Sequence, residues 1–273
     1  MRSVWQEKNP EAAYAEVTGN IKTDILVIGG GMAGILCAWK LQQAGMDVTV
    51  VEAERIGSGI TAKTTAVLTA QHDFLYQDMM VSFGVSAAKV YLDANLEAVQ
   101  AFRGLSKTFP CDFEDRPSIQ YTADDASRLR REARVVKDLG YPVEFQKQIP
   151  LPVAAVGVVM YPNMAQFDPL KFVSHICQGL NIFERTKALE FSPDGVLTNR
   201  GKIKAKKIIM ATHFPIINKH GLYFVKMYQH RSYVLALSGA EKVGGMYVDG
   251  DGITVNDVNL KNCEFGDRLA NLA

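Results

Sequence analysis

An α/β fold built on a parallel sheet is what this chain predicts, and three stretches near its start predict it. Thr23-Asp-Ile-Leu-Val-Ile-Gly29 is a continuous apolar run closed by glycine, the pattern of a strand buried on both faces. Met32 to Ala44 follows with Ile35, Leu36, Trp39 and Leu41 as apolar positions and Gly45 past its end, a helix with a glycine stop. Asp47-Val-Thr-Val-Val51 is a second apolar strand. Strand, helix and strand together fill about 30 residues, one βαβ unit.

Composition sets the bounds. The 273 residues suffice for one large domain or two small ones with a proper core. Apolar residues at 48% and charged residues at 22% are those of a soluble globular protein. A formal charge of +1 gives no electrostatic footprint for nucleic acid or a membrane surface. The run Lys202, Lys204, Lys206 and Lys207 reads as a solvated strand edge between short β-like segments. The most apolar run, Ile149 to Tyr161, contains Pro150 and Pro152 and is shorter than the ~20 residues of a spanning helix. Met1 to Asn20 has no apolar secretory core, so the expected address is cytoplasmic. Cys37, Cys111, Cys177 and Cys263 show no C-x-x-C spacing and no histidine partner, which predicts reduced thiols and no metal.

The remaining elements follow in order. Residues 1–21 are a lead-in, either pinned by Trp5 or a disordered arm. Ile56 to Thr65 is rich in Gly, Ser and Thr. Ser86 to Leu105 places Ala88, Tyr91, Ala98, Phe102 and Leu105 on one helical face. Ser118 to Thr122 is a strand, and Asp124 to Leu139 a charged helix ended by Gly140. After Ile149 the chain turns β-rich. Asp168 before Pro169 starts a helix whose stripe is Leu170, Val173, Ile176, Cys177 and Leu180. Strands are expected at Asn181–Glu184, Gly195–Thr198, Lys207–Thr212, Ser232–Leu237 and Gly245–Asp249.

The chemistry-bearing motif is Gly29-Gly30-Gly31-Met32-Ala33-Gly34. G-x-G-x-x-G is weak alone; here it leaves a buried strand and opens a helix, the context a dinucleotide site requires. Gly29 serves the tight turn, Gly31 the approach of a pyrophosphate, and Gly34 the packing of helix on strand. The helix start at Met32 and Ala33 offers free N–H groups and a positive dipole end. Glu52, at the end of the second strand and about 20 residues on, is placed to accept ribose hydroxyls and disfavours a 2′-phosphate. Fold class and motif together predict an FAD/NAD(P)-binding Rossmann-like parallel sheet. The competing reading is a packing turn and a surface Glu.

Glycines and acid do not separate FAD from NAD. Glu52-Ala-Glu-Arg-Ile-Gly-Ser-Gly59 with Thr61, Thr64 and Thr65 resembles the cofactor-wrapping segment of the D-amino-acid oxidase and glycine oxidase superfamily of FAD-dependent oxidoreductases. Ile208-Ile-Met-Ala-Thr-His213 resembles its strand ending in Ala-Thr-Gly, with His213 in the place of Gly. Arg185-Thr-Lys-Ala188 lies where the family's backbone meets the adenine, and Gln166-Phe-Asp-Pro-Leu-Lys171 resembles the return to the FAD domain. Ser58-Gly-Ile-Thr61, Thr64-Thr-Ala66, Thr69-Ala-Gln-His72 and His230-Arg-Ser-Tyr233 are similar to a bacterial subgroup whose flavin domain precedes a Rieske iron–sulfur domain. The resemblance covers roughly Val4 to Asp249.

The resemblance implies FAD as cofactor, held by Gly29, Gly31, Met32, Ala33, Gly34, Glu52, Ala53, Ser58, Gly59, Thr61, Thr64, Thr65, Gln71, Ala188, Ala211 and Thr212. It implies oxidation of an amine or amino acid next to nitrogen, with hydride passing to flavin, and a Rieske-type or other electron-transfer partner. Arg231 and Tyr233, two apart in an expected strand, are the candidates to clamp a substrate carboxylate, and His72 to contact the flavin. An exposed Arg, a packed Tyr and a turn-capping His are the bland alternatives. The resemblance implies an α/β fold in which an FAD domain at 22–85 and 150–221 is interleaved with an α+β substrate domain at 86–149 and 222–249, with a divergent tail at 250–273. Past Asp249 the chain is polar and carries no Cys-x-His pair for a Rieske cluster, so it reads as C-terminally truncated and impaired. A non-catalytic FAD-binding fragment needing a partner chain, and an NAD-dependent dehydrogenase, stay open beside the oxidoreductase.

Overall fold

Residues 2–9, 13–147, 155–217, 221–229, 233–234, 243–249 and 254–256 are described by a computed structural model. The chain opens with a short helix, α1 (Val4–Lys8), held by a capping box: Gln6 N–H donates to the Ser3 hydroxyl, and Ser3 N–H to the Gln6 side chain. β1 (Ile21–Ile28) is buried from Ile25 to Ile28. α2 (Met32–Gln43) buries Gly34, Ile35 and Ala38, and β2 (Val48–Val51) is buried throughout. The βαβ unit is therefore present as read, with slightly shifted ends. A 3₁₀ turn, Ile60–Lys63, follows.

The chain then runs through β3 (Val67–Leu68), α3 (Leu75–Leu105), β4 (Glu114–Asp115), β5 (Ser118–Thr122), α4 (Ser127–Asp138), β6 (Glu144–Gln146), β7 (Gly157–Tyr161) and β8 (Ala165–Gln166). After α5 (Pro169–Ile176) come β9 (Asn181–Phe183), β10 (Ala188–Ser192), β11 (Gly195–Thr198), β12 (Lys202–Met210) and α6 (Tyr223–Lys226). β13 (Met246–Val248) and β14 (Thr254–Asn256) close the described chain.

Two units result: unit 1 is Met1–Thr64 with Pro169–Ala236, and unit 2 is Thr65–Asp168 with Leu237–Ala273. The expected borders after 85 and 149 fall elsewhere because strand pairing sets them. β3 pairs with β8, and β7 pairs with β5 and β6, which draws residues 65–85 and 155–168 into unit 2.

Unit 1 is a six-stranded sheet in the order β10-β11-β12-β1-β2-β9. β12, β1, β2 and β9 run parallel, and β10 and β11 form an antiparallel edge. Ile28 lies opposite both Met210 and Val51, so β12, β1 and β2 finish together. Gly29, Glu52 and Ala211 leave the sheet at that common end, where ligands of open α/β sheets bind. Leu26, Ile28, Val51, Val196 and Ile203 form the core beneath it. The lysine run falls within β12 itself rather than between strands, and Lys206 pairs with Asp24 at 2.8 Å.

Unit 2 carries a sheet in the order β14-β13-β5-β7-β6 and a small one of β3, β8 and β4. α4 is amphipathic, with Leu129, Ala133 and Val136 packed in a core that also holds Leu92, Val99, Val159 and Tyr161. Thr254–Asn256, expected to be an irregular polar tail, instead pairs antiparallel with β13. α3 begins at Leu75 rather than Ser86 and breaks at Gly84, whose φ of 83° is open to glycine. Its early start has a tertiary cause: fully buried Glu132 of α4 accepts from Tyr76 N–H at 2.8 Å and Gln77 N–H at 2.9 Å. A residue far along the chain thus supplies the cap that no local residue provides.

Burial pushes the Glu132 carboxyl above its ordinary value, with the two N–H bonds opposing. A carboxyl raised on folding contributes stability that is full below the unfolded value and lost as pH rises through the folded one. Glu132→Gln cannot ionise. The wild-type urea midpoint, measured against that of Glu132→Gln, is therefore expected to fall as pH rises from below the ordinary carboxyl range toward neutrality. A flat or rising difference would contradict this burial argument.

Candidate dinucleotide site

The turn between β1 and α2 is shaped by the chain's own crowding at three of its four glycines. Gly29 has φ 110°, and a Cβ there would lie 2.4 Å from the Ala211 carbonyl oxygen. A Cβ on Gly30 would lie 2.2 Å from Ile56 Cδ1, and one on Gly34 2.0 Å from the Gly29 carbonyl oxygen. Gly31 differs: a Cβ would meet only Thr61 Oγ1, at an ordinary 3.4 Å. Backbone crowding demands glycine at 29 and 34, a Cβ at 30 would have to displace the end of Ile56, and the space over Gly31 is left open.

That open space faces the start of α2. Gly31 is the N-cap and has no side-chain cap. Met32 N–H donates to Thr61 Oγ1 at 3.0 Å, and the first helical bond is Ile35 N–H to Gly31 O at 3.0 Å. The first-turn amides of Ala33 and Gly34 precede that bond and so have no acceptor within the helix. Bare amides at the positive end of a twelve-residue helix, beside a position kept clear of side chains, fit a pyrophosphate. The residues present fit the ADP half of a dinucleotide.

Glu52 does more than the sequence suggests. Its carboxylate accepts from Gly30 N–H at 2.7 Å and Glu54 N–H at 2.9 Å, so it fixes the glycine turn as well as standing at the end of β2. Each oxygen keeps a lone pair for a ribose hydroxyl. The backbone at Glu52–Glu54 lies along β9 and its continuation: Glu52 N–H donates to Phe183 O, Thr186 N–H to Glu52 O, and Arg185 N–H to Glu54 O. Ala53 is exposed between these pairings. Ala188 packs instead against the sheet core.

Other expected contacts are used locally. Ser58 Oγ donates to Arg55 O at 2.8 Å, and Gly59 caps the 3₁₀ turn. Thr64 O accepts from Trp5 Nε1 at 2.8 Å. Ala211 N–H continues the sheet to Ile28 O, and Thr212 Oγ1 donates to Phe214 O. His213 has φ 61°, the left-handed region in which the family's glycine at this position costs nothing.

Thr65, Gln71 and His72 belong to unit 2. Thr65 O accepts from Asn256 Nδ2 at 3.4 Å. Gln71 is 2% exposed; its Oε1 accepts from Ser118 Oγ, and its Nε2 has no partner among the described residues. His72 Nδ1 is 3.2 Å from the Tyr91 hydroxyl, and burial lowers its pKa against an opposing pull from Asp73. Tyr233 is 88% exposed and in no strand, contrary to expectation; Arg231 lies outside the described residues. Sequence reasoning missed Glu184, whose buried carboxylate accepts from Ile56 N–H and Tyr14 N–H. A lone Glu ending a short strand gives no signal of such a role.

Against this geometry, the profile of the family described as DAO, FAD dependent oxidoreductase, matches residues 24–258. That match runs beyond Asp249, where the expected resemblance ended. The chain is 31% identical over 261 residues to the Rieske 2Fe-2S iron-sulfur protein YhfW of Bacillus subtilis (strain 168), covering 90% of this chain and 51% of that protein. It is 28% identical over 121 residues to gamma-glutamylputrescine oxidoreductase of Escherichia coli (strain K12), covering 44% of this chain and 28% of that protein. The L-proline dehydrogenase structure from P. horikoshii superposes with a TM-score of 0.58 at 22% identity, covering 71% of this chain and 53% of that one. The chain thus spans about half the length, or less, of these proteins. No described helix is long and apolar enough to cross a membrane.

Glu52→Arg is expected to weaken FAD binding far more than Glu54→Arg. Losing charge-assisted bonds contributes about 1.5–3 kcal/mol, a roughly ten- to hundredfold rise in Kd. Flavin fluorescence titration of the two variants tests it; equal effects would place the ribose elsewhere.

Proposed function

The chain belongs to the DAO family of FAD dependent oxidoreductases, and from that membership we propose that it binds FAD at the glycine turn of unit 1 and oxidises an amine or amino acid. The observation that carries the dinucleotide site is the open position over Gly31 beside the acceptor-less amides of Ala33 and Gly34, and the family supplies FAD as the dinucleotide. Bound FAD supplies a two-electron acceptor for the carbon next to nitrogen. The names of two related proteins, an oxidoreductase of gamma-glutamylputrescine and an L-proline dehydrogenase, support the substrate class.

The protein's own part is binding and positioning. Gly31, Ala33 and Gly34 present backbone to phosphate, Glu52 accepts ribose hydroxyls, and Thr61, with its oxygen already engaged by Met32 N–H, keeps its hydroxyl proton to donate. Ser58, Gly59, Thr64, Ala211 and Thr212 of unit 1 line the remainder of the cofactor in this reading. His72 enters as an uncharged imidazole, since burial disfavours its cation. Arg231 and Tyr233 are the proposed clamp for a substrate carboxylate. The name of the Bacillus subtilis relative supports a Rieske-type electron acceptor.

Calorimetric titration of the apoprotein with FAD and with NAD is expected to show the tighter binding for FAD. Anaerobic mixing of the FAD-loaded protein with sarcosine, glycine, proline, polyamines and a panel of D-amino acids is then expected to bleach the flavin saturably with at least one. Tighter NAD binding would overturn the cofactor assignment, and no bleaching by any of them the substrate class.

A further inference from the structure

The loop that carries Ser58, Gly59, Thr61 and Thr64 is held from a direction the motifs do not show. Trp5, 3% exposed on α1, donates its indole N–H to Thr64 O at 2.8 Å, at the far end of the 3₁₀ turn. At the near end, the Glu184 carboxylate, 2% exposed, accepts from Ile56 N–H at 2.8 Å and from Tyr14 N–H at 3.2 Å. Arg55 stands at 3.5 Å from the same carboxylate. The backbone completes the tie: Glu184 N–H donates to Ala15 O, and Val17 N–H to Thr186 Oγ1 at 3.3 Å. Tyr14 also hydrogen-bonds the thiol of Cys177, which is 1% exposed. Gln6, Asn9, Tyr14 and Cys177 line one small pocket of about 50 Å³ together with Ile56 and Ser58.

We propose that Trp5 and Glu184 are positioning residues for FAD, through which the stretches before β1 hold the cofactor loop at both ends. This rests on the reading that FAD occupies the glycine turn. The physical reason is preorganisation. The loop from Arg55 to Thr64 carries Gly57 and Gly59 and no regular element beyond one 3₁₀ turn, so its ordering would otherwise fall on the binding step. Glu184 is an isolated acid taken out of water, and only its N–H donors and Arg55 make that burial tolerable. Those donors come from the two segments to be joined, so the bonds form only when the segments are together. Linkage then requires reciprocity: whatever these ties contribute to FAD binding, FAD contributes to their closure.

Trp5→Phe removes the N–H donor and leaves a smaller aromatic ring, the packing loss being read from apoprotein melting; Glu184→Gln keeps the shape and replaces one acceptor oxygen by a donor. FAD affinity is read by flavin fluorescence on the full chain, and apoprotein melting is compared in parallel. Loss of one such bond corresponds to about a two- to tenfold rise in the FAD Kd for Trp5→Phe, with a larger rise for Glu184→Gln. The second readout is maleimide labelling of Cys177, resolved by mass spectrometry. Saturating FAD is expected to slow labelling in wild type, and less so in Trp5→Phe. If wild type binds FAD, Trp5→Phe binds it equally well and FAD leaves Cys177 labelling unchanged, the positioning role is overturned. Should Glu184→Gln fail to fold, Trp5→Phe and wild-type labelling still decide. Wild-type protein that binds no FAD overturns the cofactor assignment first, and this role with it.

Discussion

The arrangement of unit 1 depends on a backbone crossing that excludes Cβ atoms. At Gly29 the chain turns out of β1 with φ 110°, against the Ala211 carbonyl at the end of β12, while Gly34 sets α2 on the Gly29 carbonyl. No side chain larger than hydrogen can occupy these positions without moving the strand ends or the helix. The crossing fixes where α2 points, and hence where its uncapped amides point. A Cβ on Gly31, by contrast, would meet no atom closer than 3.4 Å, and glycine there is not required by the packing of the turn. An open position between two glycines blocked by backbone is more informative than the G-x-G-x-x-G pattern, which counts all alike.

Within each unit, carboxylates act as ties between segments. Glu52 joins the glycine turn to the end of β2, Glu184 joins the loop after β2 to the residues before β1, and Glu132 joins α4 to the start of α3. In each case the acceptors meet backbone N–H groups that would otherwise lack a partner. Two of the three acids are almost fully buried, where an unpaired carboxylate is expensive. Separation of the joined segments therefore leaves both an acid and its donors without partners.

The sequence made legible what is local and periodic. The apolar run to Ile28, the stripe of α2 and the glycine turn announce β1-α2-β2, and Asp168-Pro169 announces α5. Hidden were the features made by distant pairing. The border at Thr64 and Thr65 depends on β3 finding β8 across nearly a hundred residues. The early start of α3 depends on Glu132, and its break on one glycine inside an otherwise helical run. Thr254-Val-Asn256 reads as polar tail because a three-residue edge strand has too few positions to show alternation. At the site, Glu52 was legible from its place after β2, whereas Trp5 and Glu184 were not. Their significance lies wholly in a partner 59 residues away in one case and 128 in the other.

The same logic governs the segment around His72. Ser118 and Gln120 project from one face of β5; Ser118 Oγ donates to Gln71 Oε1, and Gln120 Nε2 to Asp73 O at 2.9 Å. Tyr76 holds Ala70 O, and Tyr91 meets the His72 ring edge-on with its hydroxyl at Nδ1. Both flanks of His72 are thus fixed, with Asp73 kept at φ 47°, a conformation its neighbours must hold in place. Burial disfavours the imidazolium and the Asp73 carboxylate opposes this only in part, so the pKa of His72 is lowered while Tyr91 sets the orientation of the ring. A fixed neutral imidazole offers one ring nitrogen to Tyr91 and the other to whatever approaches, without placing a positive charge beside it. That is a property of burial and of β5, and nothing in the residues adjacent to His72 in the chain would reveal it.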